Sequence, residues 1–219
     1  SFPNNVSFDM CTHAGAYDRH LSRVIQQRGC VECDDVAFML GALRLAGRGA
    51  TLLDLGANIG MYALPALSAG YNVVAFEPMP ANAIRLLASA RRNGMQSRLH
   101  LVALCVSDQP AGKLCHLGLN PTNQGHLRHQ IGGNAGNGSD DGTADAGLVG
   151  ASGLLTSAAV RVDDVLAPQT QPLVLKIDLE GGECRAFRGM RRLLNESRQV
   201  LGAVMEFDKS RECCDELIR

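Results

Sequence analysis

Ala50-Thr51-Leu52-Leu53-Asp54-Leu55-Gly56-Ala57-Asn58-Ile59-Gly60 organises the whole chain. Thr51 to Leu55 are apolar except for Asp54, the pattern of a short strand covered on both faces of a parallel sheet. The run breaks at Gly56. Gly56 and Gly60 admit backbone angles and close approaches that a side chain blocks, so a ligand can lie against this turn and face the N-terminus of the next helix. A dinucleotide prefers G-x-G-x-x-G, with a bare second glycine where the pyrophosphate passes and a third where helix meets strand. Here Asn58 holds the second position, and Met61, Tyr62 and Ala63 follow Gly60. That fingerprint fails, which argues against a nicotinamide or flavin oxidoreductase.

The D-x-G-x-N-x-G turn instead resembles the first motif of class I S-adenosylmethionine-dependent methyltransferases, whose cofactor has no pyrophosphate to cradle. The spacing downstream fits the same kind of unit. Asn72 to Phe76 reads as a second strand ending at Glu77-Pro78, and Glu77 lies seventeen residues after Gly60. In a strand–helix–strand unit its carboxylate reaches the sheet edge that carries the glycine turn, where an acid can accept both ribose hydroxyls of an adenosine. Ile59 to Ala69 reads as the intervening helix, kinked or shortened by Pro65. Pro80 to Asn93 is a well-marked helix, with proline in its first turn, Arg91 and Arg92 in its last, and Gly94 just beyond. Arg98 to Val106 follows as a third strand. At its end Asp108 stands either at the adenine edge of a cofactor or as the cap of the next turn.

Composition bounds the answer. A chain of 219 residues, 46% hydrophobic and 20% charged, suits one globular domain with a full core. A formal charge of −1 gives no reason to expect nucleic acid as a partner. No apolar run approaches the roughly 20 residues of a membrane span. Eight cysteines and three Asn-x-Ser sequons, at Asn5, Asn137 and Asn195, in a chain that starts at Ser1, lean toward the secretory pathway or a membrane-anchored parent. Cys30 and Cys33 have metal-like spacing but no second pair to complete a zinc site, so Cys30–Cys33 or Cys11–Cys30 is expected as a disulfide. Cys105 and Cys184 fall in or beside core elements, where cysteine behaves as a small hydrophobe.

Residues 1–49 divide into a loose polar lead-in through residue 17 and a helical cap. Its helices are expected from Asp18 to Gln27 and, capped by Asp34 or Asp35, through Leu45. The domain proper is expected over 50–219. Within it, residues 118–153 hold ten of the 24 glycines and no apolar periodicity, and read as a flexible insertion. His126 and His129 inside it have a metal-like spacing, but glycine-rich sequence does not hold the helix this needs. Ala158 to Val162 is extended. Leu173 to Ile177 is a fourth strand, opening the dense motif Lys176-Ile177-Asp178-Leu179-Glu180-Gly181-Gly182-Glu183, followed by an amphipathic helix. Val200 to Met205 is a fifth strand, ending at Glu206. Two further strands usual in such sheets are not visible in the pattern.

Taken together, Leu53 to Gly60, Ala75-Phe76-Glu77-Pro78 with Asn82, Val162 to Leu166, and Leu175 to Glu183 resemble the FkbM family of methyltransferases. The resemblance implies an α/β fold with a Rossmann-like, doubly wound, mostly parallel sheet. It also implies S-adenosylmethionine as methyl donor and O-methylation of a sugar, glycan or natural product. Asp54, Gly56, Ala57, Asn58 and Gly60 would face the methionine portion of the cofactor, Glu77 its ribose, and Pro78 with Asp108 its adenine side. Asp178 and Glu180 would flank the transfer region.

An alcohol needs a proton acceptor as it is methylated, and Asp178, Glu180 and Glu206 are the carboxylates at the right sheet edge. A magnesium site shared by Asp178 and Glu206 is disfavoured, because a hard cation needs several fixed oxygens, and no metal is assigned. Two alternatives stay open, a binding module that keeps the crevice without turnover and a protein N-methyltransferase. The absence of an Asn/Asp-Pro-Pro-Tyr motif after the fourth strand favours oxygen over nitrogen.

Overall fold

The computed structural model describes residues 6–15, 17–18, 21–120, 123–129, 154–167, 170–196 and 200–205. Its centre is a five-stranded, all-parallel sheet built from β1 (Thr51–Leu55), β2 (Asn72–Phe76), β3 (Leu99–Val102), β8 (Leu173–Ile177) and β9 (Val200–Met205). The order is β3-β2-β1-β8-β9, and the order reverses beside β1, so the carboxyl ends of β1 and β8 flank a crevice. This is the Rossmann-like α/β architecture expected from the sequence.

Both faces of the sheet are covered, and alternate strand residues feed two cores. Leu52, Val73, Ala75 and Val174 pack with α2 (Cys33–Ala46), α3 (Ala63–Ser68) and α4 (Pro80–Arg92). Leu53, Val74, Phe76 and Leu175 face the other way, toward α6 (Glu183–Gly189) and α7 (Arg191–Glu196). The period of two that sorts these residues leaves β8 buried along its whole length.

Several local expectations are corrected. The helix after the glycine turn does not start at Ile59, because Asn58 to Tyr62 form a turn and α3 runs only from Ala63 to Ser68. Pro65 falls in its first turn, where the missing N–H has no intrahelical partner to lose. The residue preceding α2 is Glu32, in left-handed backbone without a side-chain cap, while Asp34 and Asp35 sit in the first turn and favour its dipole. The first helix, α1 (Ser22–Arg28), starts later than Asp18 and ends at Gly29 as expected. Residues 6–15 of the lead-in are tied down rather than loose, with Val6 in the first core and Asp9, Cys11 and His13 hydrogen-bonded to the body of the protein.

The largest difference concerns a second sheet. The strand expected over 98–106 breaks after Val102, and β4 (Cys105–Val106) leaves for a four-stranded sheet of order β4-β7-β5-β6. Its other members are β5 (Leu114–Asn120), β6 (Asn123–His129) and β7 (Leu154–Val160). Within the segment expected to be a flexible insertion over 118–153, residues 118–120 belong to β5 and 123–129 form β6, which carries His126 and His129. Glycine content masked a hairpin that β7 pairs across its outer side. Residues 130–153 lie outside the described residues.

Departure of β4 also brings Cys105 against β5, where it forms a disulfide with Cys115 at a Cα separation of 6.3 Å. Cys105 is thus a bridge and not a free buried hydrophobe, and Cys184 is disulfide-bonded as well. Of the two pairings expected near α2, Cys30–Cys33 forms and Cys11 is free. No helix among the described residues is long and apolar enough to cross a membrane.

Candidate active site

At the carboxyl edge of the sheet, the turn after β1 hangs on its neighbours. The Gly56 and Ala57 amides donate to the Phe76 carbonyl at 3.0 and 2.9 Å, and the Asp178 amide donates to the Leu55 carbonyl at 3.1 Å. Gly56 has φ of +83°, and the space for a Cβ on it is filled by the Asp178 carbonyl oxygen. At Gly60, with φ of +104°, a Cβ would lie 2.6 Å from Leu86 of α4. The two glycines thus answer to close packing within the protein itself, one against β8 and one against α4. Asn58, at φ of +50°, satisfies its turn by accepting the Ile59 amide on Oδ1 at 2.8 Å.

Glu77 is 4% exposed and joins the first two motifs. Its Oε2 accepts the Asn58 amide at 2.8 Å, and its Oε1 accepts the Met79 amide at 2.9 Å and Asn82 Nδ2 at 3.5 Å. Burial pushes its carboxyl up to about 7, against the pull of these N–H donors and of Lys176. A carboxylate has about four lone-pair sites, and the three donors leave room on Oε2.

Lys176 is the residue that sequence reading quoted without giving it a role. It stands opposite Asp54 in the β1–β8 register, on the face that carries Leu52 and Val174, at the point where that face leaves the core. Its ammonium donates to the Gly56 carbonyl at 2.7 Å and to Asp178 Oδ2 at 3.4 Å, and meets Asp54 Oδ1 at 3.7 Å. Burial alone would lower the Lys176 pKa, but Asp178 and Asp54 outweigh it and hold the ammonium charged. Burial raises the pKa of Asp54, with Lys176 opposing. The signal was present in the sequence. Two charges in otherwise apolar strands, each two residues before its turn, are readable as a pair once β1 and β8 are neighbours.

Around this ammonium lies a cavity of about 230 Å³ lined by Glu32, Asp35, Tyr62, Lys176, Asp178 and Met205 among others. Lys176 Nζ sits 5.3 Å from the centre of the Tyr62 ring, and the Tyr62 hydroxyl donates to Glu32 Oε2 at 2.8 Å. Burial and the Glu32 carboxylate push the phenol far upward, so it stays protonated. Asp178 is anchored by one oxygen only. Its Oδ1 is buried and has no hydrogen-bond partner among the described residues.

The remaining expected residues are placed as follows. Glu180 has φ of +51° at the bend after Asp178 and is partly buried. The bend is held by Glu183, whose Oε1 accepts the Leu179 and Gly181 amides at 3.1 and 2.9 Å, a structural role for the last acid of the motif. Pro78 follows Glu77 directly and is partly buried. Asp108 does not cap the turn after β4, since Ser107 Oγ accepts the Gln109 amide there at 3.3 Å. Instead it pairs with Arg188 of α6 at 3.4 Å. Burial would raise its carboxyl, but hydrogen bonds from Gln109 and Arg188 and the charge of Arg185 bring it below the usual range. Glu206 lies outside the described residues. The edge thus brings together Asp54, Gly56, Asn58, Glu77 and Asp178 and adds Lys176, Tyr62 and Glu32, which spacing alone did not single out.

Residues 54–217 match the family model described as the methyltransferase FkbM domain. No curated protein matches the chain.

Proposed function

Since the chain belongs to the FkbM methyltransferase family, we propose that it uses S-adenosylmethionine to O-methylate a hydroxyl of a sugar, a glycan or a small natural product. The observation that carries this reading is the placing of Asp178, a partly exposed carboxylate that lines the cavity and is held by Lys176. A carboxylate so held is a proton acceptor aimed by its neighbour.

The residues fit the cofactor's chemistry. Glu77 offers a buried carboxylate for the ribose hydroxyls, Pro78 and Asp108 border the adenine side, and the Asp54–Gly60 stretch takes the methionine portion. When bound, S-adenosylmethionine supplies a methyl group already made electrophilic by its sulfonium. What the protein adds is orientation and proton transfer. Tyr62 and Glu32 would position an acceptor in the cavity, and the Asp178 carboxylate would take the proton of its hydroxyl. Lys176 keeps Asp178 turned toward the acceptor. Glu180 and Glu206 are the alternative bases. The disulfides Cys30–Cys33 and Cys105–Cys115 support an oxidising compartment for the protein.

Calorimetric titration tests the cofactor, with S-adenosylhomocysteine run beside NAD on wild type and Glu77→Ala. Binding of the homocysteine compound alone, weakened by the substitution, is expected. Binding of NAD instead, or of neither, would sink the reading. An acceptor screen over sugars and glycans then follows, and Asp178→Asn should abolish turnover while cofactor affinity persists. Persistent turnover would move the base elsewhere.

A further inference from the structure

The segment before the family-matched region is laid along α4 in extended form. The Asp9 amide donates to Asn93 Oδ1 at 2.9 Å, while Asn93 Nδ2 donates to the Asp9 carbonyl at 2.7 Å. Two residues on, the Cys11 amide donates to Ser89 Oγ at 2.8 Å. Two further on, the His13 ring reaches Asn82, with Nε2 2.7 Å from Oδ1. Positions 82, 89 and 93 share one stripe of the helix, and positions 9, 11 and 13 recur with the period of an extended chain. The match of these two periods delivers a histidine to the start of α4, next to Glu77.

His13 is itself fixed. It is 2% exposed, its ring stacks on Tyr17 at 4.9 Å, and its amide donates to Ser22 Oγ at 3.0 Å. Ser22 Oγ in turn donates to Asp18 Oδ2 at 2.6 Å. The direction of the link to Glu77 follows from chemistry. An ionised carboxylate only accepts, so Asn82 presents Nδ2 to Glu77 Oε1, which leaves Oδ1 toward the histidine. His13 must then carry its hydrogen on Nε2. The contact of Nδ2 with Glu77 and that of Oδ1 with a histidine outside the domain match thus hold the Asn82 amide in one orientation from its two ends.

We infer that His13 is a positioning residue of the cofactor site, orienting Glu77 through Asn82 for the ribose hydroxyls. This rests on the reading of Glu77 as the ribose acceptor. Without the Nε2 donor, the Asn82 oxygen loses its contact with His13, and the Nδ2 donor on Glu77 is held less firmly in place. The consequence is confined to ligands that carry the hydroxyls.

The test compares binding of S-adenosylhomocysteine and its dideoxyribose analogue to wild type, His13→Phe and His13→Gln. Phenylalanine keeps the stacking on Tyr17 and removes the donor, whereas glutamine restores an N–H at similar reach. For His13→Phe, S-adenosylhomocysteine should bind about fivefold to tenfold more weakly, the size of one lost hydrogen bond. The analogue should be unaffected, and glutamine should recover most of the loss. If wild type does not distinguish the two ligands, the ribose reading of Glu77 falls and the inference falls with it. If wild type distinguishes them and His13→Phe does so equally well, the inference alone is overturned. A second measurement needs no variant, because the ring nitrogens of His13 in wild type are visible by nitrogen-15 NMR. They should report the Nε2–H tautomer and shift with S-adenosylhomocysteine but not with the analogue. The opposite tautomer, or equal shifts, would overturn the inference.

Discussion

The carbonyl oxygen of Asp178 fills the space that a side chain on Gly56 would need, so the exit of β8 and the turn after β1 meet backbone against backbone. Gly56→Ala therefore combines a Cβ clash that no rotamer relieves with left-handed backbone strain. A loss of about 3 kcal/mol or more is expected, together with loss of S-adenosylhomocysteine binding. Thermal denaturation and calorimetry check both, and an unchanged melting temperature would mean that the two turns do not touch.

Removing the buried cation should be worse than removing a surface one. Lys176→Met leaves Asp54 and Asp178 in the site without their ammonium, at an expected cost of about 3–5 kcal/mol. The sign of the pH effect follows from Asp54, whose carboxyl burial already raises. A group that binds its proton more tightly when folded stabilises the fold at low pH and loses that contribution as pH rises through its folded pKa. The deficit relative to wild type should thus widen as pH rises. Urea midpoints across a series of pH values measure it, and a constant deficit would refute it.

Glu77 gives opposite signs for stability and for binding. Its carboxyl is raised from 4.5 to about 7, so folding is favoured most below the unfolded value and loses stability as pH rises to about 7. The swing is about 3 kcal/mol. Cofactor affinity should run the other way, increasing toward pH 7 and above as the carboxylate ionises and becomes a stronger acceptor for a ribose hydroxyl. Glu77→Gln should flatten both profiles. Denaturation and titration across pH 5–8 provide the readout, and a variant that keeps the wild-type slopes would assign them to another group.

The Cys105–Cys115 bridge ties β4 to β5 at a sequence separation of 10. Replacing both cysteines by serine should cost about 2–3 kcal/mol, by loop-closure entropy, and leave S-adenosylhomocysteine affinity unchanged, since the bridge lies in the second sheet. A large drop in affinity would mean that the second sheet helps to shape the cofactor site.

The central sheet was legible because its strands are short apolar runs ending in glycine or acid, a pattern that few other arrangements satisfy. Glu77 and Asp178 were legible for the same reason, as strand ends at matching offsets. The second sheet was not. Gly118 and Gly125 within the hairpin weaken any periodic signal, and its partner β7 lies beyond residues 130–153, so the pairing that stabilises it is non-local. His13 was hidden in a different way. A coil residue makes sense only against the polar stripe of α4, and the contact spans 69 residues of sequence.

Asp54 opposite Lys176 also bears on how the chain reaches this arrangement. Leucine, valine and isoleucine fill β1 and β8 so evenly that their burial alone distinguishes poorly between neighbouring alignments of the two strands. Sliding β8 by two residues would keep every face correct, yet it would separate the two charges and strand each among apolar groups. The buried pair thus disfavours the other registers energetically. Misaligned sheets incur a penalty of several kcal/mol, and the alignment that survives is the one that sets Gly56 beside Asp178.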